Sequence, residues 1–506
     1  MTVNRSSTEK VHFNLIEPEA LAVLVRVSGL LTGLGVKAYL VGGFVRDVIL
    51  ERKTADIDIA IDTDALEIAP EVAKALGGKY VRLDEENRVG RVVLLGKSPS
   101  GRQWQLDFST FRGSIEQDLA LRDFTIDAMA VELAPVVAQT RPAQLIDPFH
   151  GGDDLNQGIV RVVSASAFAS DAARLLRAVR LAAELGFSIH RETEKLIKSH
   201  SHLIATVARE RVREELLQLL TFPGAGQITY LDELGLLTAM IPELAETKGV
   251  TQPKEHNWEV FDHSIATVAA VDFLLKQGTW EYGGDEILKV VPWSAVLAKH
   301  FELKVSYGSN RRLMLKLAAL LHDIAKPQAK TVESGGRMRF LGHGQQGALV
   351  AAAILERLRF SSKEIKLVEM MIEHHLRPMQ MGQNEFPTSR AIYRYFRDTE
   401  GASFDILYLS LADHLATRGP HLDLTQWRGH AQIVDYILTQ RFQEESQVIP
   451  PKLVSGHDLS SIFKMKPGPK MGEVLEALRE AQAAGKVATR DEALAYIEQL
   501  LTPSKR

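Results

Sequence analysis

Residues 39–62, YLVGGFVRDVILERKTADIDIAID, constrain what this chain can fold into more than any other stretch. An apolar strand end at 39–41 runs into a glycine pair, Gly42 and Gly43. A short helical segment carrying Arg46 and Asp47 follows, and then carboxylates alternate with aliphatics. In Asp56-Ile57-Asp58-Ile59 the two-residue period of a half-buried strand puts both acids on one face and both isoleucines on the other. Two carboxylates about 6–7 Å apart on one strand face repel each other unless a cation sits between them. A solvated edge strand behind a turn fits the same short pattern, because such motifs recur by accident. The glycine pair favours the cation: it lets backbone N–H groups approach a phosphate, with Arg46 at hand as a partner for its charge. A glycine cradle followed by a metal-binding carboxylate pair points to nucleoside triphosphate chemistry.

At 506 residues the chain exceeds one hydrophobic core, and its length suggests about three or four domains. Sixty Lys and Arg against 64 Asp and Glu leave a formal net charge of -4, so an RNA partner needs a local basic surface. The absence of cysteine excludes disulfides and thiolate metal sites. No run approaches about 18 uninterrupted apolar residues, and the N-terminus MTVNRSSTEKVHFNL lacks an apolar signal region. A cytoplasmic protein without a membrane span is expected.

Residues 1–17 are polar and expected to be loose, whereas 18–34 repeat Leu, Val and Ala at helical spacing. Residues 79–112 read as a small sheet with strands YVRLD, GRVVLLG and WQLDFSTFR. Asp107 lies between Leu106 and Phe108; it either shares a metal-facing surface with Asp56 and Asp58 or looks into solvent. Arg122 and Asp123, in DLALRDFTIDAMAVEL, precede an apolar strand or helix start. Residues 167–185 predict a helix stopped by Gly186, and 209–220 a second helix with Thr206 as its cap. In the tail, a Pro/Gly-rich hinge at 467–469 separates two helical patterns.

Eight of the 16 histidines fall between His256 and His414. In LLHDIAKP, adjacent His322 and Asp323 inside an apolar helix are costly to bury unless a cation binds them. His256, His300 and His414 read as ordinary core or surface residues.

The motifs LVGGFVRDVIL with ADIDIA, LRDFTIDAMA, DPFHGGDDL, SDAARLLRAVRLAAELGF and RERVREELLQLL, in this order, closely resemble the class II tRNA nucleotidyltransferases and the related bacterial poly(A) polymerases. The match is strong over residues 35–245, and LVSGHDL with GPKMG in the tail is similar too. The resemblance implies an α+β protein: a polymerase-beta-like head with a small mixed sheet and helices, followed by all-α neck, HD and tail domains. The expected boundaries are an N-terminal extension at 1–24, head at 25–163, neck at 164–248, HD domain at 249–445 and tRNA-binding tail at 446–506. The implied activity is template-independent addition of C, C and A to tRNA 3′ ends from CTP and ATP. Alternatives are poly(A) synthesis, CC-only or A-only addition, or an HD phosphohydrolase with a nucleotide-sensing head.

By this resemblance Asp56 and Asp58 hold Mg²⁺ with Asp107 as third ligand, while Gly42, Gly43 and Arg46 contact the triphosphate. Arg122 and Asp123 recognise ribose, and Asp171, Arg174, Arg177 and Arg180 lie on the nucleotide-selecting helix. Asp171 and Arg174, three apart on a helix, share a face and can present an acceptor beside a donor, as the Watson–Crick edges of cytosine and adenine both require. Leu121, Asp127 and Ser170 depart from the family's usual arginine, asparagine and glutamate. The histidine region resembles an HD phosphohydrolase: His263, His322, Asp323 and Asp413 would hold one divalent transition metal or Mg²⁺. His343, His374 and His375 would complete a second site, with Lys326 near a bound phosphate. That implies phosphatase or 2′,3′-cyclic phosphodiesterase activity, or a fold kept as scaffold. Arg209, Arg211, Arg213, Lys464, Lys466 and Lys470 are the expected RNA phosphate contacts.

Overall fold

Alternation builds the first sheet. Ile57 and Ile59 are fully buried while Asp56 is exposed, and on a neighbouring strand Leu106 and Phe108 are fully buried on either side of Asp107. The computed structural model describes residues 10–11, 16–94, 103–138, 143–382, 386–443 and 452–502. It divides into two units, Met1–Ala208 with Glu233–Ala239, and Arg209–Asp232 with Met240–Arg506. The stretch expected as one neck, 164–248, is therefore shared between them.

In the first unit eight strands form one mixed sheet. They are β1 (Lys10–Val11), β2 (Ala38–Val41), β3 (Asp56–Ile61), β4 (Lys79–Asp84), β5 (Val89–Leu94), β6 (Trp104–Thr110), β7 (Ala130–Glu132) and β8 (Ala143–Ile146), in the order β1-β8-β7-β2-β3-β6-β5-β4. Among the described residues of this sheet, only β3 and β6 pair in parallel. A parallel pair needs a crossover, here the Ala65–Leu76 helix followed by the β4–β5 hairpin; the helix opens on an Asp64 cap and closes on left-handed Gly77. Most of residues 1–17 lie outside the described residues, yet Lys10 and Val11 pair with Gln144 and Ala143, so this part is an edge strand and not loose. The Pro18–Gly33 helix buries Leu24, Val27 and Leu31, the three- and four-residue spacing of one helical face.

The helix expected over 167–185 is two helices, Ala167–Ser170 and Arg174–Leu185, because Asp171 is extended at φ −151° and its carboxylate accepts from the Ala173 amide. An aspartate that bonds a backbone amide two residues on offers the chain a turn in place of a helix. Gly186 is left-handed and stops the second helix, as expected. Thr206 does not cap the Arg209–Leu219 helix; its hydroxyl donates to the Leu203 carbonyl.

The second unit is built of helices with two short hairpins. The Val260–Leu274, Arg311–Leu321 and Ser403–Arg418 helices carry apolar residues nearly all round and form its centre. Among them sits Lys316, with no exposed surface. It bonds Asp272 and donates to the carbonyls of Leu220 (2.8 Å) and Phe222 (2.9 Å), while Asp272 accepts from the Gly224 amide at 2.6 Å. Asp272→Ala leaves a buried ammonium without its counter-charge, and a loss of about 3–5 kcal/mol in unfolding free energy is expected from denaturant titration. Replacing both partners with apolar residues costs much less.

The tail packs Leu459, Val474, Leu478, Ala493 and Ile497 into its own core. Its Pro469–Ala483 helix is tied to the Ser389–Thr399 helix through Glu480, which accepts from Arg390 (2.5 Å), Arg394 (2.6 Å) and Arg397 (3.1 Å). Those hydrogen bonds, Arg394 first, hold the Glu480 carboxyl down to about 2. A depressed carboxylate stabilises above its unfolded value, so this contribution is present above about pH 4.5 and is lost as pH falls toward 2. Glu480→Gln should flatten the acid limb of the stability profile in that window, measured by thermal melts across pH.

Candidate functional site

Register decides which carboxylates meet. The parallel β3–β6 pairing sets Asp58 beside Asp107 and Asp56 beside Gln105. Side chains of laterally paired residues point to the same face, so the acids of β3 share theirs with Asp107. Yet β5 pairs Arg91 opposite Asp107, and Arg91 grips that carboxylate with two bonds of 2.7 Å. Asp107 is thus paired with a guanidinium while it stands beside Asp58 on the shared face. Arg91 was not singled out in the sequence, because only cross-strand register reveals it.

Burial pushes the Asp58 carboxyl up to about 6; Arg122 opposes this while Asp107 and Asp127 add to it. A carboxyl buried in this way, with like charges beside it, favours holding a proton or a cation. The donor set fits a hard divalent ion such as Mg²⁺, which takes carboxylate oxygens.

The glycine pair lies against this face. Gly42 has φ +66°, and a Cβ there would stand 2.8 Å from Arg122 Nη1 and 3.1 Å from Asp58 Oδ2. Only glycine leaves room for those two groups. Its N–H is taken, however, by the Met129 carbonyl at 3.3 Å, so it is not available to a phosphate. Arg46 is also committed: it is 6 % exposed, and donates to Asp127 at 2.7 Å and Asp47 at 2.9 Å. Asp127, standing where asparagine was expected, is what anchors it. Arg46 therefore supports the glycine turn, with its guanidinium against Gly43.

Arg122 bonds Asp118 at 3.2 Å, and Asp123 pairs with Arg177 at 3.0 Å, which joins this turn to the Arg174–Leu185 helix. Arg174 donates to the Leu121 carbonyl at 2.9 Å and lies 4.0 Å from Asp171. The two are neighbours: Asp171 is extended and precedes the helix, and its carbonyl accepts from the Arg174 amide at 3.2 Å. Arg180 pairs with Glu184 at 2.7 Å along its own helix. In DPFHGGDDL, Asp147 accepts from the Gly151 and Gly152 amides (2.7 and 2.9 Å), so this motif builds a turn.

The second unit holds a separate cluster. His322 and Asp323 sit just past the Arg311–Leu321 helix, not inside it, and are 0 % and 1 % exposed. Nδ1 of His322, His343 and His375 meets the carbonyls of Ala319, Phe340 and Ile372 at 2.9, 2.6 and 2.7 Å. Such bonds place the proton on Nδ1 and leave Nε2 as a lone pair. These lone pairs converge: Nε2 of His263 and His322 lie 3.2 Å apart, and those of His343 and His375 3.4 Å apart. Asp413 is 3.0 Å from His263, and Asp323 lies between His322 (3.2 Å) and His343 (3.4 Å). Among the described residues three ligand groups form, all here: His263, His322 and Asp323; His322, His375 and Asp413; Asp323, His343 and His375.

His374 belongs to none of these groups; it ends the Ser362–His374 helix, half-buried. Burial pushes His375 down to about 3 and lowers His263, so both favour the neutral form that binds metal. Burial opposes the charge on Asp323, but His322 and Lys326 outweigh it and hold the carboxyl well below its usual range. Lys326 Nζ is 2.6 Å from both Asp323 and Gln252. His256, read as ordinary, lines the same cavity, and burial pushes it down to about 4. Its lone sequence context offered no signal.

Of the expected RNA contacts, Arg213 is spent on buried Glu364 at 2.6 Å and lies over Phe360. Arg211, Lys464, Lys466 and Lys470 are exposed, and Arg209 is half-buried. No helix among the described residues is long and apolar enough to cross a membrane.

A glycine turn and a carboxylate-bearing strand on a mixed sheet, followed by helical domains, define a nucleotidyltransferase of the poly(A) polymerase head type. Residues 38–161 match the poly A polymerase head domain, 186–248 the probable RNA and SrmB-binding site of polymerase A, 288–418 the HD domain, and 439–497 a putative tRNA nucleotidyltransferase domain 2. The chain is 31% identical to the A-adding tRNA nucleotidyltransferase of Deinococcus radiodurans, across 91% of this chain and 95% of that one. It is 30% identical to the CC-adding tRNA nucleotidyltransferase of Thermus thermophilus, across 91% and 93%. Its fold resembles the Thermotoga maritima CCA-adding enzyme complexed with tRNA, with a TM-score of 0.59 at 21% identity over 97% of both chains. This chain belongs to the tRNA nucleotidyltransferase family.

The histidine cluster makes a direct prediction. After chelation and dialysis, the protein should bind a divalent metal tightly at the histidine cluster, and His322→Ala should abolish that binding while Asp58→Ala leaves it intact. Metal content per chain after desalting decides it, and equal loading in all three proteins would remove the assignment.

Proposed function

We propose that this protein extends tRNA 3′ ends without a nucleic-acid template, adding C, C and A from CTP and ATP. The observation that carries the reading is the packing of Gly42 against Asp58 and Arg122 on the face of β3. Asp56 and Asp58 are the residues to hold Mg²⁺ there. Two such ions supply activation of the attacking 3′-hydroxyl and charge neutralisation at the α-phosphate and departing pyrophosphate. Arg122 lies next to that face and is suited to a phosphate or ribose oxygen. Asp123, fixed by Arg177, ties the ribose site to the base site. Asp171 and Arg174 offer an acceptor and a donor side by side, the complement of cytosine and adenine and the reverse of uracil and guanine. The tRNA reading implies a cytoplasmic protein, with exposed Arg211 and the tail lysines Lys464, Lys466 and Lys470 as phosphate contacts that sense RNA shape.

A second reading has specific support: relatives that match more than nine-tenths of the chain are A-adding or CC-adding enzymes, and on that reading this chain supplies one part of the CCA end. The histidine and aspartate cluster supports an additional hydrolase, a phosphatase or 2′,3′-cyclic phosphodiesterase that trims RNA 3′ ends, with Lys326 beside the phosphate. Its metal is a divalent transition ion, which imidazole ligands favour.

Purified protein is incubated with Mg²⁺, each labelled triphosphate in turn, and tRNAs ending before CCA, after C and after CC. Incorporation of both C and A that stops at CCA supports the first reading; C alone or A alone selects the second. Long A tails, or no incorporation, overturn both. Asp58→Ala should lower addition by at least about a thousandfold, as expected when a metal-holding carboxylate is lost, while hydrolysis of a 2′,3′-cyclic nucleotide is unchanged.

A further inference from the structure

A cavity of about 550 Å³ lies within the second unit, distinct from the histidine cluster, and no role has been assigned to it. Its walls come from the Ser389–Thr399 helix, residues 400–404, Arg441 near the end of the Leu424–Gln443 helix, and the tail residues Lys452 and Arg479. The volume suits a drug-sized ligand or a single nucleotide.

The lining combines rings with cations. Phe396 and Phe404 are half-buried and line the cavity with Tyr393. Arg397 and Arg479 are used to build the wall: Arg397 bonds Asp398 and Glu476 at 2.6 Å each, and Arg479 lies 3.3 Å from Glu476. Arg311 is likewise held, at 3.2 Å, by Asp405, which has no exposed surface. Arg441 and Lys452 differ. Arg441 lies over the Phe396 ring at 5.5 Å, and neither cation has a carboxylate partner among the described residues. These wall arginines are thus satisfied by ion pairs, and two further cations face the cavity beside aromatic rings, with the Glu400 carboxylate also on its rim.

That combination has one well-matched class of ligand. Aromatic faces take a base by stacking without regard to its identity, and a neighbouring Arg and Lys take its phosphate. An aliphatic or acidic-peptide ligand leaves either the cations or the rings unused. We propose that this cavity binds a nucleotide, with the base against Phe396 and Phe404 and the phosphate on Arg441 and Lys452, at a site separate from the head. The ligand is either a free nucleotide or one nucleotide of a bound RNA, and the chemistry of recognition is the same for both. The proposal is independent of the head's activity, since it rests only on this cavity.

The test uses the full chain and the double variant Arg441→Ala/Lys452→Ala, two residues at the edge of the cavity and outside the transfer and metal sites. Equilibrium dialysis with labelled ATP or CTP should give two nucleotides per wild-type chain and one per variant chain if the free nucleotide is the ligand. If RNA supplies it, the wild type binds one free nucleotide. The variant then binds tRNA about tenfold more weakly, with a salt slope smaller by about one, the loss of one phosphate contact. Phe396→Leu, which keeps the packing volume, should weaken whichever ligand binds by about fivefold or more through lost stacking. Unchanged melting temperature and unchanged nucleotide incorporation at saturating tRNA establish that the variants are folded. One nucleotide bound by both proteins together with equal tRNA affinity overturns the proposal. A wild type that incorporates no nucleotide overturns the head's assigned activity while leaving these binding measurements to decide the cavity.

Discussion

The parallel register of β3 and β6 is the constraint on which the head depends. A one-residue slip would turn every side chain of β3 to the opposite face, burying Asp56 and Asp58 and exposing Ile57 and Ile59. The register is therefore enforced by hydrophobic burial, and the acidic face follows from it. Arg91 then divides that face, neutralising Asp107 and leaving Asp58 to concentrate negative potential beside Gly42. The strand that makes the head stable is also the strand that makes it reactive.

A different device orders the histidine cluster. Three backbone carbonyls fix three imidazoles by Nδ1 before any ligand arrives, so the inward nitrogens are aimed by the ends of helices and hairpins. Burial keeps His263 and His375 neutral, and the two aspartates supply charge. The cost of this arrangement is repulsion among lone pairs, which a cation relieves.

Much of this was legible in the sequence. Period-2 alternation at 56–59, the glycine turn before it, the left-handed stop at Gly186 and the concentration of histidines all reflect local rules. What escaped reading was long-range pairing. Arg46, Asp107 and Arg213 are each the expected residue type in the expected motif, yet each is engaged by a partner far along the chain: Asp127, Arg91 and Glu364. An arginine's own motif does not name the carboxylate it pairs with. The break at Asp171 shows the converse: Ala, Leu and Arg content favoured a continuous helix, and a single side-chain bond to the Ala173 amide overrode it. His374 and His375 are equivalent in composition, and only the helix end at His374 separates the inward ring from the outward one.

Lys316 carries one more consequence. The last carbonyls of a helix lack intrahelical donors, and beyond the Arg209–Leu219 helix those of Leu220 and Phe222 are satisfied by an ammonium 96 and 94 residues further on. The terminus of this helix is in effect written into another helix, so neither can open without exposing the other's unsatisfied groups. The two segments form a single cooperative block, and slow amide exchange in one reports on the integrity of the other.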